Sequence, residues 1–217
     1  NKINTVYVLT SYLCLCILHT YSVRREAMNV TEQKSIAKTV LGKIRNLDHR
    51  AIIAGGAARD WYFNNLANDI DIFYYHEDGK WCLNNLRREV AILKALPGVG
   101  DIQVLGFNPT EDSYNFQPQD DFNNYLKNPN IVNVFECIIE GVKFQFIQLR
   151  KQNVDVHTFA YNMCQAWSNG VDIWTTKKFD IGVSKKLLIE TGDLYANTDK
   201  FKNKMISKFP DYDYLTK

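Results

Sequence analysis

Two acidic side chains separated by one residue, Asp69 and Asp71, stand a short fixed interval after a double glycine. The stretch reads Ala-Gly-Gly-Ala-Ala-Arg-Asp over residues 54–60, then eight residues, then Asp69, Ile70 and Asp71. Ile70, Ile72 and Phe73 alternate with the acids in the manner of a strand. Residues i and i+2 of a strand share a face, so the two carboxylates project together. A carboxylate pair of this kind suits Mg²⁺ held partly by protein and partly by a substrate phosphate. Two such ions can stabilise both the attacking and the leaving oxygen of an in-line displacement.

The elements around the acids must deliver a phosphate to them. Residues 51–53 read as a short buried strand. Gly55 and Gly56 then let the backbone turn sharply and approach a ligand without a Cβ in the way. Residues 57–66 have helical composition, and a helix opening after a glycine turn aims its free N–H groups at an anion. A lone Gly-Gly is an ordinary turn, and a lone Asp-x-Asp an ordinary strand end. Their combination in strand–turn–helix–strand order is what carries the functional reading.

The pattern Gly-Gly-x-x-Arg-Asp, eight residues, Asp-x-Asp resembles the catalytic head of CCA-adding tRNA nucleotidyltransferases and bacterial poly(A) polymerases, within the DNA polymerase beta superfamily. The resemblance implies that Asp69 and Asp71 bind catalytic metal. It implies that Gly55 and Gly56 contact an incoming nucleoside triphosphate, with Arg59 and Asp60 shaping that pocket. The family carries a third acid on a later strand, in a pattern like Glu-x-x-x-x-Arg. Here residues 134–139 and 142–149 read as two strands joined by Glu140 and Gly141, an acceptable hairpin turn. By spacing, Gln145 takes the third acidic position. Glutamine coordinates through its carbonyl but brings no charge. Glu136 on the partner strand supplies that charge if it faces the same way; an enzyme working with Asp69 and Asp71 alone, or a decayed one, also stays open. A site short of one charge would favour Mn²⁺ over Mg²⁺, following the affinity order for N/O sites.

Phe159 and Asn162 match a further family segment, Asp-Phe-Thr-x-Asn-Ala, whose helix supports the nucleotide. That resemblance makes Asn162 a nucleotide-binding candidate. The same residues also read as a plain amphipathic helix with Phe159, Met163 and Trp167 inward at i, i+4 and i+8. Asn169 and Gly170 match the turn before a further strand. The likeness covers roughly residues 45–175 and implies a minimal, head-only nucleotidyltransferase of the kind bacteriophages carry. The base-selecting motif and the tRNA-gripping helical domains of the family are not recognisable.

The 217 residues allow one domain, and 46% apolar content is ordinary for a globular core. A net charge of +2 excludes a strongly electrostatic, histone-like nucleic-acid binder. Five cysteines (Cys14, Cys16, Cys82, Cys137 and Cys164) without a repeated spacing argue against a disulfide framework and point to a reducing cytoplasm. His19, His49, His76 and His157 are scattered and form no zinc pattern. Residues 6–23 lean apolar, but Thr5, Thr10, Ser11, His19, Thr20 and Ser22 dilute them below a convincing span. Residues 1–27 are read as an extension ahead of a natural start at Met28. Residues 28–217 then form the single domain, opening with a helix capped by Thr31 and burying Ile36, Val40 and Ile44.

Residues 81–96 read as a helix with Leu86, Val90 and Leu93 inward, and 101–105 as a strand. Residues 107–130 are polar and too long for an ordinary connection, a lid or an insertion. Residues 199–209 read as a helix on which Lys200, Lys204 and Lys208 recur at i, i+4 and i+8. That basic stripe is a solvated face or a weak RNA contact.

The expectation is an α/β fold, a mixed twisted sheet of the nucleotidyltransferase type with helices mainly on one face. The expected activity is metal-dependent transfer of a nucleotide from an NTP to a hydroxyl, at the 3′ end of tRNA or another RNA. The partners are then NTP and RNA, with no membrane. Two rivals remain. One is a toxin- or defence-type transferase that modifies protein or tRNA. The other is a non-catalytic nucleotide- or RNA-binding module that lost turnover with the third acid.

Overall fold

A computed structural model describes residues 28–75, 83–96, 98–107, 130–150, 154–191 and 199–216. The N-terminal extension at 1–27 and the polar segment at 108–129 lie outside the described residues. The chain runs α1 (Val30–Ile44), β1 (Ile52–Ala54), α2 (Gly56–Tyr62), β2 (Ile70–Tyr75), α3 (Leu83–Lys94), β3 (Gln103–Phe107), β4 (Ile131–Ile139) and β5 (Val142–Leu149). Two 3₁₀ turns follow at Val156–Thr158 and Asn162–Cys164. The remainder is β6 (Ala166–Ser168), β7 (Ile173–Thr175), α4 (Lys177–Lys185), β8 (Leu187–Ile189), α5 (Asp199–Lys208) and β9 (Asp213–Leu215).

Seven strands form one mixed sheet in the order β3-β4-β5-β2-β1-β6-β7. Among the described residues, only the central β2–β5 pair is parallel within it. The alternation read from the sequence is what the sheet uses. Ile70, Ile72 and Tyr74 of β2 are buried on one face, together with Phe144 and Phe146 of β5. α1 covers that face with Ala37, Val40, Leu41 and Ile44, and α3 adds Leu93 and Val90. The tight β4–β5 connection is the expected one, with positive φ at both Glu140 and Gly141.

Several local expectations are corrected. The cap of α1 is Asn29, not Thr31. Its side chain accepts from the Glu32 N–H at 2.9 Å, because the helix begins two residues earlier than expected. α2 is shorter than 57–66 and gives way to a left-handed Asn64. The stretch around Phe159 is not an amphipathic helix. Tyr161 bridges to Glu190, and the Thr191 N–H donates to Ala160 O at 2.8 Å, so extended pairing replaces helical bonds there. Trp167 consequently lies on a strand.

A second cluster sits beyond the sheet's β6 end. Ala58 of α2 packs there with Tyr161, Met163, Cys164, Phe179, Leu188, Met205 and Phe209. The small parallel pair β8–β9 closes it. α2 therefore stands between two cores. Ala57 and Trp61 face the first, and Ala58 faces the second.

Candidate active site

The strand registers bring the candidate residues into one line. Asp71 pairs with Gln145 across β2–β5, and Gln145 pairs with Glu136 across β4–β5. Directly paired residues point to the same face, and that face is opposite the one α1 covers. Glu136 does face the same way as Asp71. On the other side, Ile52 opposes Phe73 and Ile53 opposes Ile72. One further step of that register sets Ala54, the residue before the glycine turn, beside Asp71. The line continues through Trp167 and Trp174, whose rings stack at 6.3 Å.

Gly55 adopts φ +81, which a side chain resists, and its N–H donates to Ala166 O at 2.8 Å. A Cβ on Gly55 would stand 3.4 Å from the Phe159 ring. Gly56 has no such constraint. A Cβ there would meet only Arg59 Nη2, at 3.8 Å. The backbone at Gly56 is therefore open for reasons the protein's own packing does not require.

Asp69 and Asp71 are both half-buried at the start of β2. Asp71 Oδ1 is shielded from solvent and has no hydrogen-bond partner. Burial first, and the charge of Asp69 second, push the Asp71 carboxyl up to about 7. Lys204, Arg59 and Lys143 hold it back from rising further. An orphaned carboxylate oxygen beside a second acid is relieved by a cation, so the donor set fits Mg²⁺ or Mn²⁺. Among the described residues, no group of three or more His, Cys, Asp or Glu is arranged to hold a metal. The protein would thus supply two carboxylates, and phosphate and water the rest.

Glu136 is already engaged. Lys143 Nζ lies 2.7 Å from its Oε2, and Gln145 Nε2 donates to the same oxygen at 2.9 Å. Gln145 thus sits between Glu136 and Asp71 and is tied to Glu136.

Arg59 and Asp60 are buried beneath the glycine turn rather than presented at its rim. Arg59 Nε donates to Asp60 Oδ1 at 2.8 Å, and Lys208 Nζ reaches Asp60 Oδ2 at 2.6 Å. Arg59 Nη1 contacts Met205 Sδ at 3.5 Å, and its guanidinium lies over the Phe209 ring at 5.9 Å. Burial would lower the Arg59 pKa, but Cys164 and Asp60 outweigh it and raise it. Burial and the nearby Arg59 charge lower that of Lys208, with Asp60 opposing. Lys208 is therefore withdrawn from the basic stripe, while Lys200 and Lys204 stay exposed.

Asn162 is taken up by the backbone of the second core. Its side chain is fully buried and holds backbone: Nδ2 donates to Leu187 O at 3.0 Å and to Lys178 O at 3.3 Å. Its Oδ1 accepts from the Ile189 N–H at 2.7 Å. The amide's hydrogen bonds go to α4 and β8. Sequence reasoning missed Lys143, although its place two residues before Gln145 puts it on the same strand face. It also missed the Asp60–Lys208 pair, for which a separation of 148 residues leaves no local signal.

No family model and no curated protein matches the chain. Solved structures do match. The Thermotoga maritima CCA-adding enzyme complexed with tRNA shares 13% identity, with a TM-score of 0.51, over 82% of this chain and 38% of that one. A CCA-adding enzyme complexed with ATP matches at 11% identity and TM-score 0.48, over 82% of this chain and 39% of that one. A complex with CTP matches at 13% and 0.46, with the same coverage. The chain thus spans about two-fifths of the length of these enzymes. What it shares with the first is a fold, that of a nucleotidyltransferase head.

Proposed function

We propose that this chain transfers a nucleotide from an NTP to a hydroxyl acceptor, with the 3′ end of an RNA, tRNA among them, as the acceptor. The observation that carries the reading is the Asp69–Asp71 pair, one strand from the Gly55–Gly56 turn, with a shielded carboxylate oxygen that lacks a partner. The nucleotidyltransferase-type fold supports it.

In this reading the open backbone at Gly56 admits the triphosphate close to α2. Asp69 and Asp71 would hold the metal, and the Gln145 carboxamide lies next in the same row. The metal, when bound, lowers the pKa of the acceptor hydroxyl and offsets charge on the leaving phosphates. Phe73 and Phe159, both half-buried with ring centroids 5.8 Å apart, lie against each other beside the turn. Arg59 and Asp60 brace the turn from below.

A second reading has one observation in its favour. With Gln145 neutral and Glu136 tied to Lys143, the site carries two free carboxylates instead of three. A module that binds nucleotide or RNA without turnover would look the same.

One experiment separates the readings. The protein is incubated with labelled NTPs, Mg²⁺ or Mn²⁺ and total RNA, and compared with Asp71→Ala. Labelled RNA from the wild type, reduced by at least about a thousandfold in the variant, is expected when a catalytic metal ligand is lost. Near-normal transfer by Asp71→Ala would overturn the assignment. NTP binding without transfer to any acceptor would favour the binding module.

A further inference from the structure

A triphosphate seated over two carboxylates needs cations, and the structure narrows which one is available. Among the described residues, four cations lie around the carboxylate row and the turn. Arg59 is buried and paired with Asp60. Lys208 is bonded to the other oxygen of Asp60. Lys143 is bonded to Glu136. Lys204 is exposed and, among the described residues, has no hydrogen-bond or ion-pair partner.

Lys204 is also held in place. α5 is fixed against α2 by the Lys208–Asp60 pair, the Arg59–Met205 contact and the stacking of Arg59 on Phe209. Lys204 precedes Lys208 by one helical turn, so it projects from the same side of α5 as the lysine that reaches α2. Its charge holds the Asp71 carboxyl down, ahead of Arg59 and Lys143. It is felt at Cys164 and Lys208 as well.

We propose that Lys204 is the cation that holds the phosphates of the incoming triphosphate beside Asp69 and Asp71, and that the Asp60–Lys208 ion pair positions it. The proposal rests on the nucleotidyl-transfer reading of the site. It assigns the C-terminal helix a part in substrate binding. Asp60 then acts on substrate through α5, as a positioning residue.

The test uses the full chain, with ATP and inorganic tripolyphosphate titrated calorimetrically in the presence of Mg²⁺. Lys204→Met is expected to weaken both ligands by about tenfold, the worth of one charge-assisted contact. Lys204→Arg is expected to keep most of the affinity. Adenosine, without phosphates, is expected to bind no differently to any of them. Gly56→Val reports on the underlying site and is expected to abolish binding.

Lys208→Met tests the positioning role without emptying the buried Asp60 side. It is expected to weaken tripolyphosphate severalfold, and to have no further effect once Lys204 is already Met. A purely structural Lys208 would give additive losses, and that result would overturn the positioning claim. If Lys204→Met binds both ligands like the wild type while Gly56→Val does not bind, the Lys204 assignment is wrong and the site reading stands. If the wild type binds neither ligand, both fail together.

Discussion

The two cores on either side of α2 are held by different means. The first, between the sheet and α1, is mainly aliphatic and aromatic, and its residues recur at strand and helix periods. Its polar insertions are Gln33, which accepts from Trp61 Nε1 at 2.8 Å and from the Ala67 N–H at 2.9 Å, and the buried Glu89, which accepts from the Tyr74 hydroxyl at 3.1 Å. The second core is tied by side chains that bond distant backbone and by a buried ion network. Asn162 holds α4 and β8, Gln165 bonds His157 O, Thr191 and Thr176, and Asp60 holds Lys208. A periodic core spreads its stability over many interchangeable contacts. A core of specific polar ties concentrates it in a few groups that substitution leaves unpaired.

Two glycines put that contrast to its hardest test. A Cβ on Gly182 would collide with Asn162 Nδ2 and come within 2.9 Å of both Leu187 O and Met163 Sδ. Gly182→Ala should therefore cost about 3 kcal/mol or more, through overpacking against groups that cannot yield. Gly42, on the exposed side of α1, has nothing within 4 Å of a Cβ. Gly42→Ala should gain about 0.5–1 kcal/mol from helix propensity. Urea titrations of both variants give the answer. Gly42 serves as the exposed reference for helix propensity alone, and a loss below about 0.5 kcal/mol at Gly182 would show that the second core makes room for the added methyl.

Removing the Asn162 amide should be the next largest effect. Asn162→Ala leaves the Ile189 N–H and the Leu187 carbonyl without their partner, at a cost of about 2–3 kcal/mol. A loss below about 0.5 kcal/mol would show that these groups find other partners.

The same division explains what could be read from the chain. α1, β1, β2 and the β4–β5 hairpin follow from alternation, apolar spacing and a Glu-Gly turn, each a signal within about ten residues. Asp69 and Asp71 were legible for the same reason, since i and i+2 of one strand need no tertiary information to share a face. The cross-strand neighbours of Asp71 were only half legible. Spacing singled out Gln145, which the register pairs with Asp71, but the lysine that engages Glu136 appears only in the folded register. The second core was not legible. The residues around Asn162 have a helical apolar pattern, and they pair instead with Glu190 and Thr191, far along the chain. The role of Lys208 was hidden likewise. A stripe of lysines looks solvated until a buried aspartate from α2 claims one of them.

Acidity should distinguish the carboxylate row from both cores. In the folded protein the Asp71 carboxyl is pushed up to about 7, well above its value in an unfolded chain. Between roughly pH 4 and 7 the folded state therefore binds the extra proton, and stability falls as pH rises. Below that window both states are protonated, so the slope vanishes and the stability is fully present. Asp71→Asn should flatten the slope of melting temperature against pH in chelator. Added Mg²⁺ should raise the wild-type melting temperature at pH 7.5 more than that of Asp71→Asn. Parallel pH curves for the two proteins would show that Asp71 is not held in the strained, partnerless state described above.

The smallest effect asks which strand carries the third charge. Gln145→Glu converts the 2.9 Å bond to Glu136 into a contact between like charges, partly shared by Lys143. The cost should be about 1 kcal/mol, as for like charges directly opposed across strands. Exchanging the two residues, Gln145→Glu with Glu136→Gln, recreates the bond with its polarity reversed and should restore that stability. The exchange also moves the negative charge one strand closer to Asp71. Wild-type protein should be stabilised more by Mn²⁺ than by Mg²⁺, following the general affinity order. The exchanged protein should bind both ions more tightly and show a smaller difference between them, because added charge helps the harder ion most. Melting temperatures across a titration of each metal measure this directly. If the exchange leaves both titrations unchanged, the position beside Asp71 takes no part in holding metal, and Asp69 and Asp71 do so without it.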